Sequence, residues 1–310
     1  MKKVFIDGKA GTTGLRIEER LSSRDDVNVI SLPEELRKDI AARKQIINES
    51  DFVFLCLPDD AAREAVSLIE NDTTVVIDAS TAHRTNPDWA YGFPELGREF
   101  EEKIINSRRI AVPGCHASGF IALIYPLIKN GFISPDTLLS VYSLTGYSGG
   151  GKKMIADYAS DERSALLSAP RQYALSQSHK HLPEMTKITG LSNPPIFSPV
   201  VADFYSGMEV TVPIFGAWLE GRTANDIREL FKAVYPSSGL VHYTEGADED
   251  GFISAGALSC KDSMSIEVYG NDDRILLVAR YDNLGKGASG AAVECLNVKL
   301  GCDKTKGLDV

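Results

Sequence analysis

Basic charge, paired cysteines and long apolar runs are all missing from this chain of 310 residues. Lysine and arginine number 33 against 43 aspartates and glutamates, giving a net charge of −10 and a pI near 5.1. That balance excludes nucleic acid and anionic membrane as main partners, and any anionic ligand must find local basic residues. No segment approaches the roughly 20 apolar residues of a membrane span. The opening MKKVFIDG runs into a strand with no stretch long enough for a signal peptide. The five cysteines, Cys56, Cys115, Cys260, Cys295 and Cys302, are odd in number and lack C-x-x-C spacing, so neither a disulfide frame nor a zinc knuckle is indicated. The expectation is a cytoplasmic protein with reduced thiols, one of which is available as a nucleophile. Hydrophobic content of 43% and charged content of 25% are those of a soluble globular chain long enough for two domains.

The first half alternates strand and helix signals. Apolar stretches at Lys3–Asp7, Val27–Leu32, Ser50–Leu57, Thr74–Asp78 and Arg109–Val112 read as strands. Gly14–Ser22, Glu34–Glu49 and Asp59–Glu70 between them read as helices, and the alternation indicates parallel βαβ units in a doubly wound α/β sheet. Ala117–Lys129 is apolar on every side and predicts a buried helix. Beyond about residue 136 the rhythm changes. Leu138–Thr145, Ile196–Asp203, Met208–Leu219, Met264–Tyr269 and Ile275–Tyr281 read as longer strands, with one clear amphipathic helix at Thr223–Tyr235. This is the pattern of a mixed sheet in an α+β domain. The last helical stretch, Gly287–Leu300, is expected to return to the first domain.

Gly8, Gly11 and Gly14 form a G-x-x-G-x-x-G turn between the first strand and the first helix. A dinucleotide pyrophosphate needs a backbone that turns tightly and presents N–H groups at a helix start, and Thr12 and Thr13 add hydroxyl donors. The second strand ends at Ser31 with no acid to accept ribose hydroxyls, and Arg37 and Lys38 follow. A 2′-phosphate facing those two cations makes NADP the expected cofactor; a solvated helix face is the plain alternative.

Cys115 stands where a strand gives way to the buried helix, after Pro113-Gly114. Helix N-termini stabilise a thiolate, the reactive form, and their N–H groups can hold an oxyanion. Most cysteines are small buried hydrophobes, which suits Cys56, Cys260 and Cys295 better than Cys115. A base is wanted nearby, and Ser178-His179-Lys180-His181-Leu182-Pro183-Glu184 is the richest stretch. If extended, it turns both histidines the same way, and Glu184 is able to orient a ring. A His-x-His pair also suits zinc, but no further ligands at matching spacing follow, so no metal is expected.

These motifs occur in order with Ala79-Ser80-Thr81-Ala82-His83-Arg84 and Asp282-Asn283-Leu284-Gly285-Lys286-Gly287-Ala288. Together they resemble the shorter N-acetyl-gamma-glutamyl-phosphate reductases of arginine biosynthesis, and the matches span nearly the whole chain. The resemblance implies a Rossmann domain, residues 1–114 with 285–310, and a catalytic and oligomerisation domain of the glyceraldehyde-3-phosphate and semialdehyde dehydrogenase type, residues 115–284. It also implies NADPH-dependent reduction of an acyl phosphate, a small-molecule substrate, through a cysteine thioester in a homo-oligomer, dimer or tetramer. Cys115 becomes the nucleophile and His179 the acid/base supported by Glu184, with His181 the second candidate. Ser80 and Arg84 would hold the substrate phosphate, and Ser148 and Gly149 would flank the site. Asn283 and Lys286 would line the cofactor pocket. The chain departs from many members in having Val112 for asparagine before Pro-Gly-Cys, and His116 and Ser118 for an aromatic and a threonine after it. His116 is a further contender for the base, although a helix start suggests contact with solvent or substrate. Rival readings are aspartate-semialdehyde dehydrogenase, another acyl-phosphate reductase, and a non-catalytic NADP-binding sensor.

Overall fold

In a computed structural model describing residues 1–310, the chain divides into two units. The first comprises Met1–Pro94, Arg98–Gly114 and Ala288–Leu308, and the second Glu95–Gly97, Cys115–Gly287 and Asp309–Val310.

Short strands and helices alternate through the first unit: β1 (Lys2–Asp7), α1 (Thr12–Ser22), β2 (Val27–Ile30), α2 (Ile40–Glu49), β3 (Phe52–Leu55), α3 (Asp59–Ser67), β4 (Val75–Asp78), β5 (Ala90–Tyr91), α4 (Arg98–Asn106) and β6 (Arg109–Ala111). The strands pair in parallel in the order β2-β1-β3-β4-β6-β5. Every residue of β3 and β4 is buried, as a parallel sheet covered on both faces requires. The chain leaves β1 for β2 on one side and returns to β3 on the other, which opens a crevice at the carboxyl ends of β1 and β3. The end of the chain completes this core. Ala292, Val293 and Leu296 of the helix Gly290–Leu300 pack with Val4, Ile17, Phe54 and Ile77. Arg24 ties that helix down by donating to Asn297 and to the Asp26 carboxylate.

One expected element breaks in two. Glu34–Glu49 is a single 3₁₀ turn, Glu34–Leu36, followed by α2, because Asp39 adopts an extended cap conformation and accepts from the Ala42 N–H at 2.7 Å. The two acids and the arginine-lysine pair before it stay outside the helix.

The second unit holds α5 (Cys115–Lys129), β7 (Ser140–Gly146), α6 (Gly151–Ala159), β8 (Arg171–Gln172), α7 (Leu182–Thr189), β9 (Ile196–Ala202), β10 (Met208–Phe215), α8 (Ala224–Val234), β11 (Val241–Tyr243), β12 (Met264–Gly270) and β13 (Arg274–Tyr281). Its mixed sheet runs β11-β12-β13-β10-β7-β9-β8. Along β10 buried residues alternate with more exposed ones, and α5 packs on the covered face of β10 and β13. Pro126 interrupts α5 and cannot donate to the Ala122 carbonyl one turn back; the buried Tyr235 hydroxyl donates to that oxygen instead, at 2.8 Å. No helix of either unit is long and apolar enough to cross a membrane.

Candidate active site

In the first unit the glycine turn is shaped by what its residues lack. Gly8 has φ +86°, and a Cβ there would lie 2.3 Å from the Cys56 carbonyl oxygen. A Cβ on Gly14 would lie 2.7 Å from the Gly8 oxygen. Gly11 begins α1 with no side chain capping the first-turn N–H groups, so these face the crevice as an anion site requires. Gly8, Ser31, Arg37 and Lys38 line one cavity with Asp7 and Leu57. Gly11, Thr12 and Thr13 line another with Cys56 and Leu57. Gly8, Gly11, Thr12, Thr13, Ser31, Arg37 and Lys38 therefore converge at the crevice, and their shape and donors fit a dinucleotide. Arg37 also pairs with Glu34.

At the carboxyl end of β4, Asp78 organises the segment that follows. Its carboxylate accepts from the Ser80 N–H at 2.9 Å and hydroxyl at 2.8 Å, and it meets His83 Nδ1 at 2.6 Å. His83 stacks on Trp89 with centroids 4.0 Å apart. Arg84 is buried and donates to the carbonyls of Val112 and Ala79.

In the second unit Cys115 is the first residue of α5. Tyr281 of β13 is inserted into the turn that follows: its hydroxyl donates to the Cys115 carbonyl and accepts from the Gly119 N–H at 3.0 Å. A Cβ on Gly119 would lie 2.8 Å from that hydroxyl, so the glycine is needed for the insertion. Gly287 also passes close, with its notional Cβ 3.1 Å from that of Cys115.

The histidine stretch is a turn leading into α7, not an extended segment. Pro183 suits a helix's first turn, where its missing N–H costs nothing, and Gly190 at φ +80° ends the helix. The rings of His179 and His181 still meet, 4.7 Å apart and nearly perpendicular. His179 Nδ1 accepts from the His181 backbone N–H at 3.2 Å, which places the proton of the neutral ring on Nε2. His179 is half-buried and lines a groove with Gln177, Leu182, Pro183 and Thr186, whereas His181 and Glu184 are buried.

His116 contradicts its expected contact with solvent or substrate. Its ring is buried and bonded at both nitrogens, to Ser143 and to Tyr173. It packs against His179, His181 and Phe197 with centroids 5.8, 5.6 and 5.3 Å away.

Comparison with known proteins decides the family. Residues 115–283 match the family model described as semialdehyde dehydrogenase, dimerisation domain, and residues 22–104 the one described as semialdehyde dehydrogenase, NAD binding domain. The chain is 42% identical to the N-acetyl-gamma-glutamyl-phosphate reductase 2 of a Nostoc species, covering 99% of both chains. It is 44% identical to the N-acetyl-gamma-glutamyl-phosphate reductase of Brucella ovis, covering 96% of this chain and 99% of that one. The chain belongs to the N-acetyl-gamma-glutamyl-phosphate reductase family. It is an NAD(P)-dependent oxidoreductase of the semialdehyde dehydrogenase type. A solved structure of aspartate semialdehyde dehydrogenase II from Vibrio cholerae superposes with a TM-score of 0.73 at 17% identity, covering 97% and 98% of the two chains. At that identity the likeness concerns the fold alone.

Within this member of the reductase family, Ser148, Gly149, Asn283 and Lys286 all lie in the second unit. Asn283 donates to Ser148 Oγ at 2.9 Å and accepts from the Gly207 N–H at 3.0 Å, and a Cβ on Gly149 would lie 3.1 Å from its amide nitrogen. Lys286 Nζ sits 2.5 Å from Glu95 Oε1, with both side chains largely buried. Both polar ends expected at the cofactor also make contacts inside the unit. Sequence reasoning missed Tyr281, Tyr173 and Ser143. The one local signal was Gly119 inside an otherwise bulky helix, which marks a close approach.

Proposed function

We propose that this reductase converts N-acetyl-glutamyl 5-phosphate to N-acetyl-glutamate 5-semialdehyde with release of phosphate, using NADPH, in arginine biosynthesis. The observation that carries the substrate is the full-length likeness, at 42% and 44% identity, to relatives bearing that name. The sheet neighbours among aspartate semialdehyde dehydrogenases are far more distant in sequence, which favours the acetylglutamyl substrate over aspartyl phosphate.

Cys115 is the nucleophile in this reading. Its thiolate, favoured by the start of α5, attacks the acyl carbon; the carbon–oxygen bond to phosphate breaks and phosphate leaves with the electron pair. The resulting thioester accepts hydride where the carboxylate it came from would resist it. NADPH, when bound, supplies that hydride. Gly8, Gly11, Thr12, Thr13 and Gly14 hold its pyrophosphate, and Ser31, Arg37 and Lys38 hold the 2′-phosphate that distinguishes it from NADH. His179, the more accessible histidine, shares its Nε2 proton with the acyl oxygen as the hemithioacetal forms, and collapse returns the electron pair to the Cys115 sulfur as the aldehyde leaves. Glu184 and His181 support that ring, and Ser80 and Arg84 receive the phosphate.

A cytoplasmic homo-oligomer follows from the same reading. The open face of the second sheet carries Tyr142, Phe215 and Leu276, 41%, 56% and 41% exposed, and the stretch matches a model named for dimerisation.

Purified protein with N-acetylglutamate semialdehyde, phosphate and NADP is expected to form NADPH in a phosphate-dependent reaction blocked by thiol alkylation. Turnover with aspartate semialdehyde alone would keep the chemistry and move the substrate. Silence with every aldehyde despite NADP binding would replace the enzyme by a sensor.

A further inference from the structure

His116 adjoins the nucleophile yet has no part in the chemistry assigned to Cys115 and His179. Its ring is 3% exposed, with Nδ1 at 2.7 Å from Ser143 Oγ and Nε2 at 2.6 Å from Tyr173 Oη. Burial, and secondarily the charge of His179, hold its pKa down to about 3. The imidazole is therefore neutral at any working pH, with one N–H to donate and one lone pair to accept. Its two bonds must run head to tail. If Nδ1 donates to Ser143, Tyr173 must donate its proton to Nε2 and present only lone pairs to the site. If Ser143 donates to Nδ1, then Nε2 donates to Tyr173 and the phenolic proton is left for a third partner.

Tyr173 belongs to the same cluster, its ring centroid 6.2 Å from that of His179. Burial first, and the negative charge of Cys115 second, hold its phenol well above the ordinary value, so it stays protonated. A neighbouring thiolate favours the arrangement that turns a proton toward it. The loop that carries Tyr173 is held firmly. The Gln177 side chain donates to the Phe197 carbonyl at 2.7 Å and accepts from the Phe197 N–H at 2.9 Å, as a strand partner would. Ala174 and Gln177 keep left-handed backbones, φ 55° and 54°, an uncommon conformation in non-glycine residues that this bracing helps to hold.

We propose, resting on the Cys115 reading above, that His116 is a positioning residue: accepting from Ser143 and donating to Tyr173, it directs the Tyr173 O–H toward the sulfur of Cys115 and, during turnover, toward the acyl oxygen. Tyr173 is then a further hydrogen-bond donor to the reacting group, and Ser143 sets its direction from two bonds away.

The test is the pH profile of Cys115 alkylation by iodoacetamide, measured beside turnover on the purified full chain. The titratable groups around the thiol, His179, His181, Glu184, Tyr173 and Tyr281, are the same in the unaltered protein and in every His116 variant. His116→Phe and Tyr173→Phe should each raise the alkylation midpoint by about 1 pH unit and slow turnover about 10- to 100-fold, with no further change in the double variant. His116→Gln, whose amide accepts at one end and donates at the other, should restore most of the loss. Ser143→Ala, a small change that leaves the core intact, should give a smaller shift in the same direction. An unshifted midpoint in His116→Phe or in Ser143→Ala overturns the proposal, as do additive losses in the double variant. A thiol unreactive in the unaltered protein overturns the Cys115 reading and this one with it; a reactive thiol indifferent to His116 overturns this one alone.

Discussion

The glycine-turn crevice of the first unit and the thiol site of the second are built on opposite plans. The crevice is backbone chemistry. Seven consecutive residues, Gly8 to Gly14, supply its turn, and two of them work by having no side chain. The thiol site is side-chain chemistry. Cys115 and His116 come from α5, Ser143 from β7, Tyr173 from a loop, His179 from the turn before α7, and Tyr281 from β13. A backbone site is local because successive N–H groups must point one way, which only neighbouring residues achieve. A site of reactive side chains gains from distant segments, since burial and mutual contact set their charge states.

The largest break in that comparison is expected at the sulfur. Cys115→Ala should lower turnover by more than the roughly 10²–10⁴-fold typical of losing a general acid or base, while NADP binding measured by fluorescence titration is retained. Appreciable residual turnover would remove the thioester from the mechanism.

Gly8→Ala attacks the other plan. The added methyl meets the Cys56 carbonyl 2.3 Å away at a φ of +86°, two penalties that together cost roughly 3 kcal/mol. Thermal unfolding should record that loss and NADP titration the loss of binding, while Cys115 alkylation persists in the folded fraction. Unaltered NADP affinity would show that the turn is not the pyrophosphate site.

The smallest effect concerns acid. Burial of the His116 ring keeps its folded pKa at about 3, below the ordinary value of about 6.5. Between those values the unfolded chain binds a proton that the folded chain refuses. The ring's contribution is therefore complete above about pH 6.5 and is lost progressively as pH falls toward 3, by about 2 kcal/mol at pH 5. Melting temperatures of the unaltered protein should fall more steeply between pH 6.5 and pH 5 than those of His116→Phe. Parallel slopes would mean that the ring takes up its proton as readily in the folded protein as in the unfolded chain.

The same contrast explains which features were legible in the chain. The alternation of strands and helices, the glycine turn and Cys115 at a helix start all rest on contacts within one or two turns of the backbone. The break in Glu34–Glu49 was also local in cause, a single Asp39 cap, but composition alone hides it among good helix formers. The turn at His179 is not legible in the chain, because Pro183 suits a helix start as well as an extended stretch. Tyr281 gave no sign, for a tyrosine ending an apolar strand looks the same whether its hydroxyl meets water or the first turn of α5, 166 residues away. The ion pair of Lys286 with Glu95 is hidden in the same way, because nothing nearby announces a partner 191 residues earlier.

The sequence by itself determined the two-unit plan, the family, the glycine turn and a cysteine at a helix start, because each depends on residue type and short spacing. The tertiary structure alone decided the surroundings of His116 and His179. Burial beside Ser143 and Tyr173 makes His116 a neutral support, while partial exposure leaves His179 able to reach a ligand. Nothing in a histidine's neighbours along the chain distinguishes these fates, since desolvation and hydrogen bonding from distant segments set both.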